Sequence, residues 1–209
     1  MSYPVITALA NKGGCGKTTV IGCLAAEFHI RELPVALVDT DPSQNLTNWV
    51  QSGEDMAKIE THTDSSEKVL DKIEELSKDK YVLVDTAGFR NRTAVLVANR
   101  ADKIIVPCKA SGFDAVAALD VIKNIEELNA EKKNKSDVYV VMTQATRATI
   151  VSHIRNDLTK AGAKVLGCEI GNRTIYAEAN LLGTAPSFSQ KANQKAANEI
   201  AALGTEVLR

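Results

Sequence analysis

Residues 11–19 read Asn11-Lys12-Gly13-Gly14-Cys15-Gly16-Lys17-Thr18-Thr19 and follow directly on a short apolar run, Val5 to Ala10. Few chain paths satisfy such a stretch. Three glycines permit a tight backbone whose successive N–H groups turn toward one centre, and Lys17-Thr18-Thr19 opens a helix whose positive end faces the same point. A buried strand must precede the loop and a helix must follow it. The pattern is that of a phosphate-binding loop, with Gly13, Gly14, Cys15, Gly16 and Thr19 in the cradle. Lys17 directs charge to β- and γ-phosphates, and the Thr18 hydroxyl is offered to Mg²⁺. The strict GxxxxGK[ST] pattern has Asn11 where its first glycine belongs, but Lys-Gly-Gly-x-Gly-Lys-Thr is filled at every fixed position. Lys12, at the start of the loop, cannot easily reach the same phosphates in its own chain and needs a different target.

The rest of the 209 residues repeats the strand–helix alternation. Val/Ile/Leu-rich runs predict strands at Val5–Ala10, Val35–Asp39, Tyr81–Asp85, Lys103–Pro107, Val138–Thr143 and Lys164–Ile170, with a weaker one near Lys58–His62. They are continuous rather than alternating, as expected of parallel strands buried on both faces. Helical patterns fall at Lys17–Glu32, Ser65–Ser77, Thr93–Arg100, Asp114–Asn129, Thr149–Ala161 and Gln190–Leu208. Leu119, Ile122, Ile125 and Leu128 form an apolar stripe that reads as core packing. The expected fold is one α/β domain over residues 1–209, a doubly wound, mostly parallel sheet with helices on both faces. Ligands of such sheets collect at the carboxyl ends of the strands, where the glycine loop, Asp39, Asp85 and Pro107 all fall.

Composition narrows the classes. The net charge of −1 argues against an avid nucleic-acid binder, yet residues 131–209 carry 11 Lys and Arg against 7 Asp and Glu. That local excess can carry a phosphate-facing patch. Cysteines 15, 23, 108 and 168 show no CxxC spacing and read as reduced, mostly buried thiols of a cytoplasmic protein. No apolar run approaches the roughly 20 residues of a membrane span, and Met1-Ser2-Tyr3-Pro4 does not read as a secretory signal.

Asp85 ends Tyr81-Val82-Leu83-Val84-Asp85 and precedes Thr86-Ala87-Gly88. An acidic residue at the tip of a buried strand beside a phosphate loop suits Mg²⁺, held directly or through water. Val38-Asp39-Thr40-Asp41-Pro42 sets two carboxylates two residues apart. One can support metal-bound water while the other orients an attacking water.

On Lys12-Gly13-Gly14-x-Gly16-Lys17-Thr18, Asp39-Thr40-Asp41-Pro42 and the strand ending in Asp85, the chain resembles the ParA/MinD family of deviant P-loop ATPases. It is most similar to small ParA-type plasmid-partition ATPases of the ParF-like group. Leu46-Thr47-Asn48-Trp49, Pro107 and Phe113-Asp114 extend the resemblance. The resemblance implies ATP and Mg²⁺ as cofactors and slow ATP hydrolysis within an ATP-dependent homodimer. Lys12 would be the signature lysine that reaches the partner subunit's phosphates. Lys12, Lys17 and Asp41 would serve catalysis, Asp41 positioning the water, with Thr18, Asp39 and Asp85 on the metal. Pro107 and Thr143 would lie against the adenine. A centromere-binding, ParB-like adaptor and nonspecific DNA would be the partners, and no membrane. The family has Gln directly after Asp-Pro; here Ser43 intervenes and Gln44 follows.

Arg147, Arg173, Lys191 and Lys195 are the candidate DNA contacts, Arg173 because it resembles a basic residue linked to DNA in relatives. Arg155, Lys160 and Lys164 add to the same scattered set. Other readings are a MinD-like membrane-associated ATPase, an ATPase that positions a protein cargo or assists DNA transfer, and a metabolic relative such as a dethiobiotin synthetase. The tail from Ala196 to Arg209 lacks Trp and Phe and reads as a packed helix rather than a membrane anchor.

Overall fold

The computed structural model describes residues 2–89, 91–189 and 193–209. Its strands are β1 (Val5–Ala8), β2 (Val35–Asp39), β3 (Glu60–Thr63), β4 (Tyr81–Asp85), β5 (Lys103–Lys109), β6 (Asp137–Ala145) and β7 (Val165–Gly171). They form one sheet in the order β3-β2-β4-β1-β5-β6-β7, and every neighbouring pair is parallel. Helices α1 (Lys17–Ile30), α2 (Asn45–Gln51), α3 (Val69–Leu76), α4 (Arg92–Arg100), α5 (Gly112–Ala130), α6 (Ala148–Lys160), α7 (Thr174–Leu181) and α8 (Gln194–Val207) cover its faces.

Two cores follow from the period-2 geometry of the strands. Val38, Val82, Val84, Ile104 and Val106 point to the side packed by α3, α4, α5 and α6. Leu37, Leu83, Ile105 and Val141 point to the other side, against α1, α2 and α8. Because β1, β2, β4 and β5 are buried on both faces, their runs are mostly apolar, as anticipated, whereas the edge strand β3 is polar and partly exposed. In the expected stripe, Ile125 is buried and Leu119, Ile122 and Leu128 are partly buried against the first core.

α1 is buried along nearly its whole length, from Val20 to Phe28, because α8 and a short 3-10 turn at Pro186–Ser189 close over it. The buried Glu27 is matched by Arg31 at 2.8 Å and the Ser187 hydroxyl at 2.6 Å. Ile200, Leu203 and Val207 of α8 lie inside this core, so the apolar face of that helix is already covered. No helix among the described residues is long and apolar enough to cross a membrane.

Several boundaries differ from the sequence reading. β1 stops at Ala8, because Leu9 and Ala10 already lead into the glycine loop. β5 runs past Pro107 to Lys109, since the missing N–H of Pro107 does not prevent its carbonyl side from pairing with β6. The weak strand exists as the edge strand β3. α3 starts four residues late, at Val69, after Asp64 and Ser66 make a turn. α8 begins at Gln194, and residues 190–192 of the expected last helix lie outside the described residues. Two helices, α2 and α7, were not anticipated.

A candidate nucleotide site at the carboxyl edge of the sheet

Strand order lays out the site. Along the carboxyl edge come Thr63, Asp39 and Asp85, then the glycine loop after β1, then Lys109, Thr143 and Gly171. Carboxylates therefore gather on the β2–β4 side of the loop, and a lysine and a hydroxyl on the β5–β6 side.

The loop is held from both flanks. Gly14 and Gly16 adopt φ of 69° and 101°, the left-handed region in which only glycine is free of strain. Gly16 sits at the N-cap of α1, so the first turn of the helix opens onto the loop. The Thr143 hydroxyl donates to the Cys15 carbonyl at 2.8 Å, and Gln144 Nε2 donates to the Gly14 carbonyl at 2.9 Å. Cys15 is buried, its thiol turned to the Lys12 carbonyl at 3.3 Å. Burial pushes that thiol up despite the nearby positive charge of Lys17, which marks a packing residue rather than a reactive one.

Opposite, the Thr18 hydroxyl donates to Asp85 Oδ2 at 2.7 Å. Asp85 Oδ1 is buried and has no hydrogen-bond partner among the described residues. Burial, with smaller contributions from the neighbouring charges of Asp39 and Asp41, raises Asp85 to about 7, while Thr18 and Lys17 oppose the rise. An orphaned carboxylate oxygen beside a threonine hydroxyl fits the hard, oxygen-seeking Mg²⁺. Bound there, Mg²⁺ would neutralise phosphate charge; Thr18 and Asp85 are the residues that would hold it.

Asp39 is the register partner of Asp85, and it is fully buried. Its Oδ2 accepts from the Thr47 N–H at 2.9 Å and the Thr47 hydroxyl at 3.0 Å, and its Oδ1 from the Asp41 N–H at 3.1 Å. With both oxygens hydrogen-bonded within the chain, Asp39 fixes α2 and the Asp41 loop. Asp41 is half-buried, and its Oδ1 accepts from the Ser43 N–H at 2.9 Å and the Ser43 hydroxyl at 2.6 Å. Ser43 thus orients the carboxylate. Gln44, at φ 54°, forms the cap from which α2 starts.

Lys12 points away from its own loop. Its ammonium donates to the Phe113 carbonyl at 3.0 Å and pairs with Asp114 Oδ1 at 3.4 Å, at the start of α5. Phe113 and Val116 are the exposed apolar side chains beside it. Lys17, by contrast, makes no ion pair or side-chain hydrogen bond among the described residues.

On the β6–β7 side a cavity of about 550 Å³ adjoins the loop, lined by Gly16, Thr19, Thr143, Asn172, Arg173 and Tyr176 among others. Its size and position suit the nucleoside of a ligand whose phosphates lie in the loop. Thr143 lines this cavity, whereas Pro107 is buried in β5 and lies near Lys12, Cys15 and Asp114. Asn172 and Tyr176 were missed because nothing in the sequence marked the unanticipated α7 as a pocket wall. Arg173 was assigned to DNA, yet it lines this cavity, with its Nε donating to Glu199 at 2.9 Å. Glu199 also accepts from the Tyr176 hydroxyl at 2.7 Å and the Gly171 N–H at 3.1 Å.

Arg147, before α6, and Lys195, in the first turn of α8, are exposed; Lys191 lies outside the described residues. Arg155 is bound to the β7 carbonyls of Leu166 and Cys168, and Lys164 pairs with Asp137 at 3.4 Å. Arg173 and Lys195 line one shallow groove between the start of α7 and the start of α8.

A family model described as the CobQ/CobB/MinD/ParA nucleotide binding domain matches residues 6–186. The chain belongs to this family. The ParA/MinD-type phosphate loop, the Asp39–Asp41 segment and Asp85 all lie inside the matched range. The ParA protein of Rhizobium radiobacter is 28% identical over 178 residues, 83% of this chain and 80% of that one. Maintenance of carboxysome distribution protein A of Gloeobacter kilaueensis is 29% identical over 123 residues, 58% of this chain and 56% of that one. Among solved structures, the septum site-determining protein MinD of Pyrococcus horikoshii, complexed with Mg-ADP, superposes with a TM-score of 0.78 at 17% identity. The superposition covers 98% of this chain and 96% of that one, and shows a shared fold. The family's proteins are nucleotide-binding ATPases, and ParA/MinD is the branch to which this chain is similar.

Proposed function

We propose that this chain is a ParA-type ATPase of DNA partition. It binds ATP with Mg²⁺, forms a homodimer around the nucleotide, holds nonspecific DNA in that state, and hydrolyses ATP slowly until a centromere-binding partner accelerates the step. It works in the cytoplasm, on the nucleoid when ATP-bound.

The observation that carries the reading is the direction of Lys12. A lysine that serves its own phosphates would sit over the loop; Lys12 is turned to an exposed surface bearing Phe113 and Val116. A cation displayed on such a surface suits phosphates held by a second copy of the chain. Asp41, oriented by Ser43, is the group that positions the water, and Lys17 the one that steadies the departing phosphates. Phosphoryl transfer needs little more from a protein than such placement and charge. Similarity to the Rhizobium ParA supports the partition role.

Retention of random-sequence duplex DNA only with ATP, falling steeply between two salt concentrations, is the expected result. DNA binding that is absent with ATP, or identical without it, overturns the proposal. Similarity to the carboxysome distribution protein favours a second reading, in which the cargo is a protein assembly rather than a plasmid. The two share the chemistry of the site and differ in the partner that stimulates hydrolysis.

A further inference from the structure

Lys109 ends β5, one strand away from the loop, in register with Thr143. Its ammonium lies 3.9 Å from where a Cβ on Gly14 would be, and so stands directly over the outer face of the glycine loop. The residue is half-buried and, among the described residues, its ammonium makes no hydrogen bond or ion pair. Lys17 is unpaired in the same way, whereas Lys12 is matched by Asp114. Lys17 and Lys109 both act electrostatically on Cys15 inside the loop, so positive charge from two elements is gathered there. Such a concentration of cations with free donors draws an anion.

We infer that Lys109 is a phosphate-binding residue of this site, a third lysine that contacts the polyphosphate of the nucleotide from the side opposite the metal. The inference rests on the nucleotide reading above. Position fixes the side. Asp39, Asp41, Asp85 and Thr18 lie on the β2–β4 flank, where the metal belongs, and Lys109 lies on the β5–β6 flank together with Thr143 and Gln144. Those two residues hold the loop by its Gly14 and Cys15 carbonyls, and Lys109 is the group on that flank with donors left over. Because the residue reaches the loop from a neighbouring strand, it falls outside the loop's own sequence pattern.

The test is a titration of the full chain with a fluorescent ATP analogue, with Mg²⁺ and again with EDTA. Lys109→Met should weaken binding by about tenfold in both conditions, the scale of one lost charge-assisted contact. Lys109→Arg should retain most of the affinity. Adenosine, which lacks phosphate, should bind the wild type and Lys109→Met equally, and inorganic tripolyphosphate should compete less well with Lys109→Met. Thermal melts without nucleotide should coincide for all three proteins, since the side chain has no partner to lose. Wild-type affinity in Lys109→Met overturns the inference and leaves the nucleotide reading intact. A loss confined to the Mg²⁺ condition also overturns it, since the contact would then depend on the metal side. A wild-type chain that binds no ATP analogue overturns both.

Discussion

Thr18 and Asp85 meet through a hydrogen bond of 2.7 Å that satisfies one carboxylate oxygen and leaves the other, Oδ1, buried and without a partner among the described residues. Thr18 comes from the first turn of α1 and Asp85 from the end of β4, 67 residues away. The pair is prepared for a cation, and without one the charged carboxylate is a burden to the fold.

That burden makes a pH prediction. The folded state raises Asp85 from its ordinary value to about 7, chiefly by burial. The folded chain therefore holds this proton more tightly than the unfolded chain. Its contribution to stability is complete below about pH 4 and is lost as pH rises through about 7. In EDTA and without nucleotide, the melting temperature of the wild type should fall between about pH 5 and pH 8 relative to that of Asp85→Asn. Asp85→Asn should also lose the increase in ATP affinity that Mg²⁺ confers. Parallel melting curves across that range would contradict the assignment.

Lys12 should matter to assembly and little to folding. Its contact with Asp114 is on the surface, where an ion pair contributes less than about 1 kcal/mol. Lys12→Ala should keep the stability and monomeric nucleotide affinity of the wild type but form no ATP-dependent dimer in light scattering. Dimerisation at wild-type levels would remove the cross-subunit role.

Asp41 should separate binding from turnover. Asp41→Ala is expected to bind ATP normally and release phosphate at least about 100-fold more slowly, the scale for losing a positioned base. Ser43→Ala should lower turnover by a smaller factor without changing ATP affinity, because the Ser43 hydroxyl contacts the Asp41 carboxylate and Asn45, not the phosphate loop. Phosphate release in single turnover reads both.

Packing gives an independent check on the fold. A Cβ on Gly22 would fall 2.3 Å from Trp49, whereas one on Gly112 meets nothing within 4 Å. Gly22→Ala should destabilise the chain by about 1–3 kcal/mol, as overpacked cores do. Gly112→Ala, at the start of α5, should be neutral within about 0.5 kcal/mol. Urea unfolding of the two variants measures the contrast.

Much of this architecture is legible in the sequence for a physical reason. Strands buried on both faces must be apolar without interruption, so β1, β2, β4, β5 and β6 announce themselves. The loop's glycines and the acidic strand ends are equally plain, because backbone conformation and position on the chain define them. α2 and α7 are not legible: each is short, and each is fixed by distant partners. Asp39 anchors α2 through Thr47, and Glu199 anchors the start of α7 through Tyr176 and Arg173. The cavity beside the loop escaped for the same reason, since its walls come from α1, β6, β7 and α7 and share no local pattern. The end of β5 was not legible because the strand continues two residues beyond Pro107, which carries Lys109 to the edge of the loop.

Trp49 is the chain's only tryptophan. It is buried against α1 at Gly22, its indole N–H donates to the Thr184 carbonyl at 2.9 Å, and its helix is tied by Thr47 to the carboxylate that holds Asp41. Intrinsic fluorescence therefore reports from a single indole wired to the hydrolytic segment. Closing or relaxing that segment should change the emission with no dye attached, giving a direct optical clock for the nucleotide cycle.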